Sequence, residues 1–343
     1  MALDLPLIWA CIIALAVFLY VVLDGFDLGV GILFPFATPK ERDVMTAAIA
    51  PVWDGNETWL VLGGGGLFAA FPLAYAIIMP AMYLPIGMML TALIFRGVAF
   101  EFRAKAGPSG RGRKFWTGAF MGGSLAATLA QGLVLGGFLQ GVEVENRGFS
   151  GGFFDWLTPF SLLVSLSLAA GYALLGAAWL VYKTDGELQA KARRWTRTLV
   201  VLVGASMGAV SLATLSLDPE VTKRWGASMT HVDWSRFLAM APLPLATGAA
   251  ALACFLWARA TKHEWRAYAA AVAIFAGGFL GLVISIFPMV VPFAVDFRAA
   301  AADDSALALM LAGGGVILPV ILGYTAYVYW IFRGKASAEH GYH

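Results

Sequence analysis

Two short stretches place carboxyl groups where charge is costly. Leu23-Asp24-Gly25-Phe26-Asp27-Leu28-Gly29 carries acids three residues apart within a long apolar run. Trp53-Asp54-Gly55-Asn56-Glu57-Thr58-Trp59 repeats the spacing in the next run, with Asn56 and Thr58 beside the acids. Positions i and i+3 share one face of a helix. A third run adds Arg96 and Glu101. A charged group at mid-bilayer costs at least about 2.5–3.5 kcal/mol on insertion scales, so each of these residues needs a reason to be there. Carboxyls with hydroxyl and amide neighbours suit protons as cargo, whereas a hydrated metal ion would want more oxygen ligands in one place. Asp27 and Asp54 have no basic residue one turn away and are the leading candidates for proton handling. Asp24, Arg96 and Glu101 join them, with Glu57 and Asn56 as auxiliaries. Structural readings compete: Glu101 as an interfacial charge beside Arg103 and Lys105, Arg96 as a counter-ion, Asp24 or Glu57 as a hydrogen-bonder in helix packing.

The elements that must position these groups are membrane helices. Of 343 residues 60% are apolar and 13% charged, against roughly 45–50% and about 25% in a soluble domain. The chain therefore reads as an all-α polytopic membrane protein. Apolar runs bounded by charges, turn residues and Trp or Tyr predict nine spans: Leu7 to Phe34, Ala47 to Phe71, Ala74 to Phe100, Phe115 to Leu139, Leu157 to Tyr182, Leu199 to Leu217, Phe237 to Ala258, Tyr268 to Val291 and Ala306 to Phe332. Pro72 ends the second, and Ser216 to Arg236 is expected to be a surface segment. An acidic loop after the fourth span, with Glu143, Glu145 and Asp155, divides the chain into halves 1–155 and 156–343. Gly25/Gly29, Gly118/Gly122, Gly132/Gly136 and Gly277/Gly281 are spaced for close helix packing, and Gln131 and Gln140 suit hydrogen bonds between helices.

Nine spans put the termini on opposite sides. Seventeen of the 23 Lys and Arg residues then fall on one side and five on the other, with Arg96 inside a span. This asymmetry predicts the N-terminus outside and the C-terminus in the cytoplasm. The first run has no Lys or Arg before it, so it is expected to be a retained span rather than a cleaved signal. At 1.5 Å per residue, Asp24 and Asp27 lie roughly 25–30 Å down from the outer face, while Asp54 and Glu57 lie roughly 10–15 Å in from the inner face. The ionisable residues of three consecutive helices thus share the cytoplasmic half of the membrane, the geometry of an inward-opening half-channel.

Other chemistry is excluded. The four histidines (His231, His263, His340, His343) all fall outside the spans, so no imidazole is placed to ligate a membrane-embedded haem. Two cysteines, Cys11 and Cys254, suffice neither for an iron–sulfur cluster nor for a Cys/His metal box. There is no GxxxxGK[ST] loop and no dinucleotide fingerprint. No catalytic side chain and no metal site is expected in this chain.

The motifs resemble subunit II of the cytochrome bd-type quinol oxidases, including the cyanide-insensitive branch. The resemblance rests on Asp24 to Gly31, Ala50 to Leu60, Gly65 to Phe71, Phe95 to Arg103, Phe287 to Pro292 and Pro319 to Trp330, in order along the whole chain. It implies two four-helix bundles and a peripheral C-terminal helix, in a bacterial inner membrane. It implies a heterodimer with a homologous subunit I that holds two b-type haems and one d-type or b-type haem, to which small single-span subunits can add. Quinol is the implied substrate, oxygen the acceptor, membrane lipid the surroundings, and nucleic acid no partner. A quinone or lipid can fill a structural place in this subunit, though no residue pattern here identifies one. The implied role is to conduct cytoplasmic protons toward the oxygen-reducing haem, through Asp27, Asp54, Arg96 and Glu101 with Asp24 adjacent. The family often has Asp where this chain has Glu101, and Gln occurs at the position of Glu57, which weakens the case for its charge. The segment Asp296 to Ala306 looks shorter than in some relatives, and nothing is carried over to it. A purely structural subunit, with protons conducted by subunit I, is the alternative; an independent proton-coupled transporter is a third.

Overall fold

A computed structural model describes residues 3–107, 110–228 and 231–337; His340 and His343 lie outside them. Among the described residues, fourteen α-helices, one 3-10 turn and two small hairpins follow in order. The first half holds α1 (Leu5–Leu33), a 3-10 turn (Phe34–Phe36), α2 (Pro39–Ile49), α3 (Trp53–Ala70), α4 (Pro72–Ala81), α5 (Tyr83–Lys105) and α6 (Arg111–Leu139). The hairpin β1 (Val144–Glu145) and β2 (Gly148–Phe149) leads to α7 (Pro159–Lys183), α8 (Gly186–Thr214), α9 (Pro219–Trp225), α10 (Trp234–Met240), α11 (Pro242–Trp257) and α12 (Trp265–Ile286). A second antiparallel hairpin, β3 (Met289–Val291) and β4 (Val295–Asp296), precedes the short α13 (Phe297–Ala300) and the long α14 (Asp304–Ile331).

Among the described residues, seven helices are long and apolar enough to cross a membrane, or eight if α10 and α11, bent by 40° at their junction, make one span. Three of the nine predicted spans differ from this. The run expected from Ala47 to Phe71 is divided. A capping box between Thr38 and Glu41 starts α2, and Pro51, which lacks an N–H and disfavours helix in the residue before it, separates α2 from α3. The 18-residue α3 carries Asp54, Asn56 and Glu57 and is not among the seven. The run expected from Ala74 to Phe100 is likewise interrupted, between Ala81 and Tyr83, one residue after Pro80. The last residues of the eighth predicted span, up to Val291, are strand β3 rather than helix.

Helix α1 is the hub, packed against α3, α6 and α7. Its crossing with α7 depends on glycine. A Cβ on Gly29 would stand 1.8 Å from the carbonyl oxygen of Tyr172, and one on Gly176 would stand 2.5 Å from the carbonyl carbon of Gly29. Backbone therefore meets backbone, the approach that small residues at four-residue spacing permit. Gly132 and Gly136 make a similar approach to Ser165 and Ser161 of α7, whereas Gly118 and Gly122, equally spaced, face open space. Around the crossing, Phe26 stacks on Trp179 with ring centroids 4.3 Å apart, and the Trp179 indole donates to the Ala48 carbonyl at 3.0 Å. One buried apolar cluster draws on Phe26 to Val52 and on Tyr172 to Ile274, so the two halves of the chain share a core.

Most of α14 is exposed; it is pinned near its ends. Trp9 donates its indole N–H to the Leu307 carbonyl at 3.0 Å, and the Ala302 N–H donates to Ala70 at 2.9 Å. Beyond its other end, Lys183 donates to the carbonyls of Phe332 and Gly334, and Lys335 pairs with Glu264. Burial pushes the Glu264 carboxyl up, but hydrogen bonds from Lys335 and Gln189 outweigh it and hold the group below its ordinary value.

Candidate functional site

The acids of α1 are fully buried because that helix is covered on several sides. Asp24 and Asp27 are both 0% exposed. Asp24 accepts from Nη2 of Arg96, which projects from α5 and is itself 1% exposed. The same guanidinium donates through Nη1 to Glu57 of α3 at 3.2 Å and lies over the Trp53 ring, 5.4 Å from its centroid. Arg96 is thus a counter-ion for two acids at once, and the trio Asp24, Arg96 and Glu57 ties α1, α5 and α3 together. Glu57 keeps 29% of its side chain exposed and forms the accessible end of the trio.

Asp27 has a different partner. The amide of Asn56 donates to Oδ2 of Asp27 at 2.8 Å and, more weakly, to the Leu23 carbonyl at 3.3 Å. Its own carbonyl oxygen accepts from the Tyr329 hydroxyl of α14 at 2.8 Å. Asn56, expected to be an auxiliary, is the buried link between α1, α3 and α14. Oδ1 of Asp27 and Oδ2 of Asp24 have no hydrogen-bond partner.

Asp54 and Glu101 stand apart. Both are exposed, and among the described residues neither side chain makes a hydrogen bond or ion pair. Asp54 lies in the first turn of α3, where the helix N-terminus favours a negative charge without a basic neighbour. Of the sequence-predicted residues, Asp24, Asp27, Asn56, Glu57 and Arg96 converge; Asp54 and Glu101 remain on the outer surface of the chain.

Several contributors were less legible. Arg103 lies seven residues, two turns, beyond Arg96 and so on the same face. It is 5% exposed and donates to Asp43 at 2.6 Å, Thr46 at 3.0 Å and Thr117 at 3.2 Å, while Arg113 pairs with the same Asp43 oxygen. Tyr20 precedes Asp24 by one turn, a usable signal. Tyr329 lies 273 residues from its partner Asn56 and had none. The two described histidines, His231 and His263, are in loops outside the long apolar helices, so their imidazoles do not fit a haem within the bilayer. Among the described residues no three His, Cys, Asp or Glu side chains form a group that could hold a metal ion.

Chemically, the buried cluster holds three carboxyls and one guanidinium. Arg96 pairs with two of the carboxyls, but its single positive charge balances only one of three negative ones, and uncompensated ionised carboxylates are expensive to bury. A proton is the cation that meets this need without further oxygen ligands.

The family model described as cytochrome bd terminal oxidase subunit II matches residues 5–332. The chain is 32% identical over 372 residues to cytochrome bd-I ubiquinol oxidase subunit 2 of Escherichia coli K12, covering 98% of this chain and 96% of that one. It is 27% identical over 345 residues to cytochrome bd ubiquinol oxidase subunit 2 of Bacillus subtilis, covering 96% of each. Among solved structures, a chain of the bd oxidase from Geobacillus thermodenitrificans shares the fold, with a TM-score of 0.74 at 18% identity over 96% of this chain and 99% of that one.

Proposed function

Because the chain belongs to the cytochrome bd terminal oxidase subunit II family, we propose that it pairs with a haem-bearing subunit I and supplies cytoplasmic protons for the reduction of oxygen by quinol. The observation that carries this reading is the buried cluster on α1, α3 and α5, whose one partly exposed member is Glu57. In the proposed path, Asp54 and Glu101 on the exposed surface feed Glu57, protons pass the Arg96 and Asp24 pair, and Asp27 with Asn56 forms the deep end. Arg96 holds the carboxyls close without neutralising all of them.

The wider arrangement belongs to the same proposal. Counting α3, and α10 with α11 as one crossing, gives nine spans, arranged as a bundle from each half, 1–155 and 156–343, with α14 peripheral. The N-terminus is outside and the C-terminus cytoplasmic in the inner membrane, as the distribution of Lys and Arg supports. The haems and the quinol-oxidising surface belong to subunit I, since no histidine of the described spans could ligate them. Protons taken from the cytoplasm for water formation and released outside from quinol would build a membrane potential without pumping.

The test is quinol-driven oxygen uptake per haem in the purified complex. Asp27→Asn is expected to lower turnover about tenfold or more, the scale of losing a positioned proton-transfer group, with haem content intact. Asp54→Asn, at the surface, should have a smaller effect. Normal turnover with both replaced would rule out the path. A second reading, assembly alone, draws on the way Arg96 clamps three helices. It predicts that the same substitutions lower the yield of haem-loaded complex and leave the rate per complex unchanged.

A further inference from the structure

A second hydrogen-bonded chain ends at Tyr20, one helical turn before Asp24. The Tyr172 hydroxyl on α7 donates to Oε1 of Gln131 on α6 at 2.8 Å, and Nε2 of Gln131 donates to the Tyr20 hydroxyl on α1 at 2.6 Å. All three side chains are buried, at 0%, 8% and 4% exposure. Gly25 makes room for this arrangement, since a Cβ there would come within 2.8 Å of the Tyr172 ring.

The direction of this ladder follows from the donor inventory. The amide of Gln131 has one acceptor oxygen and one donor nitrogen, and each is used. The oxygen of Tyr20 already accepts from Gln131, so its own proton remains to be donated. Four residues on, and therefore on the same face of α1, lies Asp24, which neighbours the Tyr20 hydroxyl and whose buried Oδ2 has no hydrogen-bond partner. The donors of the ladder thus run from Tyr172 through Gln131 to Tyr20, one turn from the carboxylate, and successive hydrogen bonds in a buried chain polarise one another. An amide cannot hand on a proton without passing through its imidic tautomer. The ladder is therefore suited to holding Asp24 and unsuited to carrying protons away from it.

We propose that Tyr172, Gln131 and Tyr20 are positioning residues for Asp24: they hold the Tyr20 hydroxyl where its free proton can be donated to the unpartnered Oδ2, which keeps the carboxylate oriented toward Arg96. This rests on the proton-path reading for its effect on turnover, but not for its effect on the carboxylate itself. The experiment is infrared spectroscopy of the purified complex carrying 13C-labelled aspartate. The Asp24 band is identified as the labelled band that Asp24→Asn removes. Tyr20→Phe, which deletes one oxygen and keeps the ring, should shift that band and lower turnover per haem by about tenfold, the scale of one hydrogen bond to a charged group, with the KM for quinol and the haem content unchanged. Tyr172→Phe should shift the band in the same direction by less, and it serves as the test if Tyr20→Phe does not assemble. An Asp24 band unmoved in these variants would overturn the proposal. A shifted band with unchanged turnover would keep the ladder and remove Asp24 from the proton path.

Discussion

Gly29→Ala is the sharpest probe of how the site is built. Its Cβ would sit 1.8 Å from the Tyr172 carbonyl oxygen and 2.6 Å from that carbonyl carbon, with the backbone nitrogen of Gly176 at 3.0 Å. Contacts of this kind need about 3.2 Å or more, so α1 and α7 must move apart by roughly 1.4 Å, and neither obstacle is a flexible side chain that could swing away. Inserting a methyl into a well-packed interior typically costs about 1–3 kcal/mol, and a clash with two helix backbones belongs at the upper end. The displacement also falls between Asp24 and Tyr172, and on the 2.8 Å hydrogen bond from Asn56 to Asp27. Gly122→Ala is the matched control: it too is a helical glycine in a four-residue pair, but its Cβ would meet nothing within 4 Å. There the substitution should be neutral or stabilising by about 0.5–1 kcal/mol through helix propensity. The assay is thermal unfolding of the purified complex followed by retained haem absorbance, with turnover measured on the same samples. Gly29→Ala should lower the midpoint by several degrees and reduce turnover, while Gly122→Ala should do neither. Equal midpoints for the two variants would refute the claim that the α1–α7 crossing is a backbone contact.

Two further outcomes are expected. Arg96→Met should leave Asp24 and Glu57 without their shared cation and cost about 3–5 kcal/mol, the scale for stranding buried charge, seen as loss of assembled complex. Adding Asp24→Asn and Glu57→Gln should restore part of the yield, and absence of any restoration would argue against the ion trio. At the other end of α14, Glu264 is held below its ordinary value of 4.5 chiefly by Lys335 and Gln189, against the upward push of burial. The contribution of a depressed carboxyl is present above its unfolded value and lost as pH falls through the folded one. The segment after Ile331 should therefore become more accessible to acid-active protease as pH falls below about 4.5, and Glu264→Gln should be accessible at neutral pH too. A cleavage profile identical in wild type and Glu264→Gln would sink this assignment.

Part of the site could be read directly from residue types. Asp24, Asp27, Asn56, Glu57 and Arg96 were conspicuous as polar groups in apolar runs, and they do converge. Their roles were not legible. Asp54 and Asp27 looked alike, each an acid with no basic neighbour one turn away, yet Asp27 is sealed in the core and Asp54 lies on the surface at a helix N-terminus. Asn56 looked subsidiary and proves to bridge three helices. Break points were similarly underdetermined: Pro51 and Pro80 stand in the sequence, but whether a proline kinks a span or ends it depends on what its neighbours pack against.

What the sequence determined by itself was the class of solution. Sixty per cent apolar residues, a handful of ionisable groups within the runs and no histidine in any predicted span require a membrane protein that handles charge without holding a haem by imidazole. What only the tertiary structure decided was which face of each helix is inside. A soluble helix announces its buried face through amphipathic periodicity, but a membrane helix is apolar toward lipid and toward protein alike, so that signal fades. Rotation about the helix axis is then set by close contacts such as Gly29 against Tyr172, and it is this rotation that buries Asp27, brings Tyr20 against Gln131 and leaves Gly122 bare.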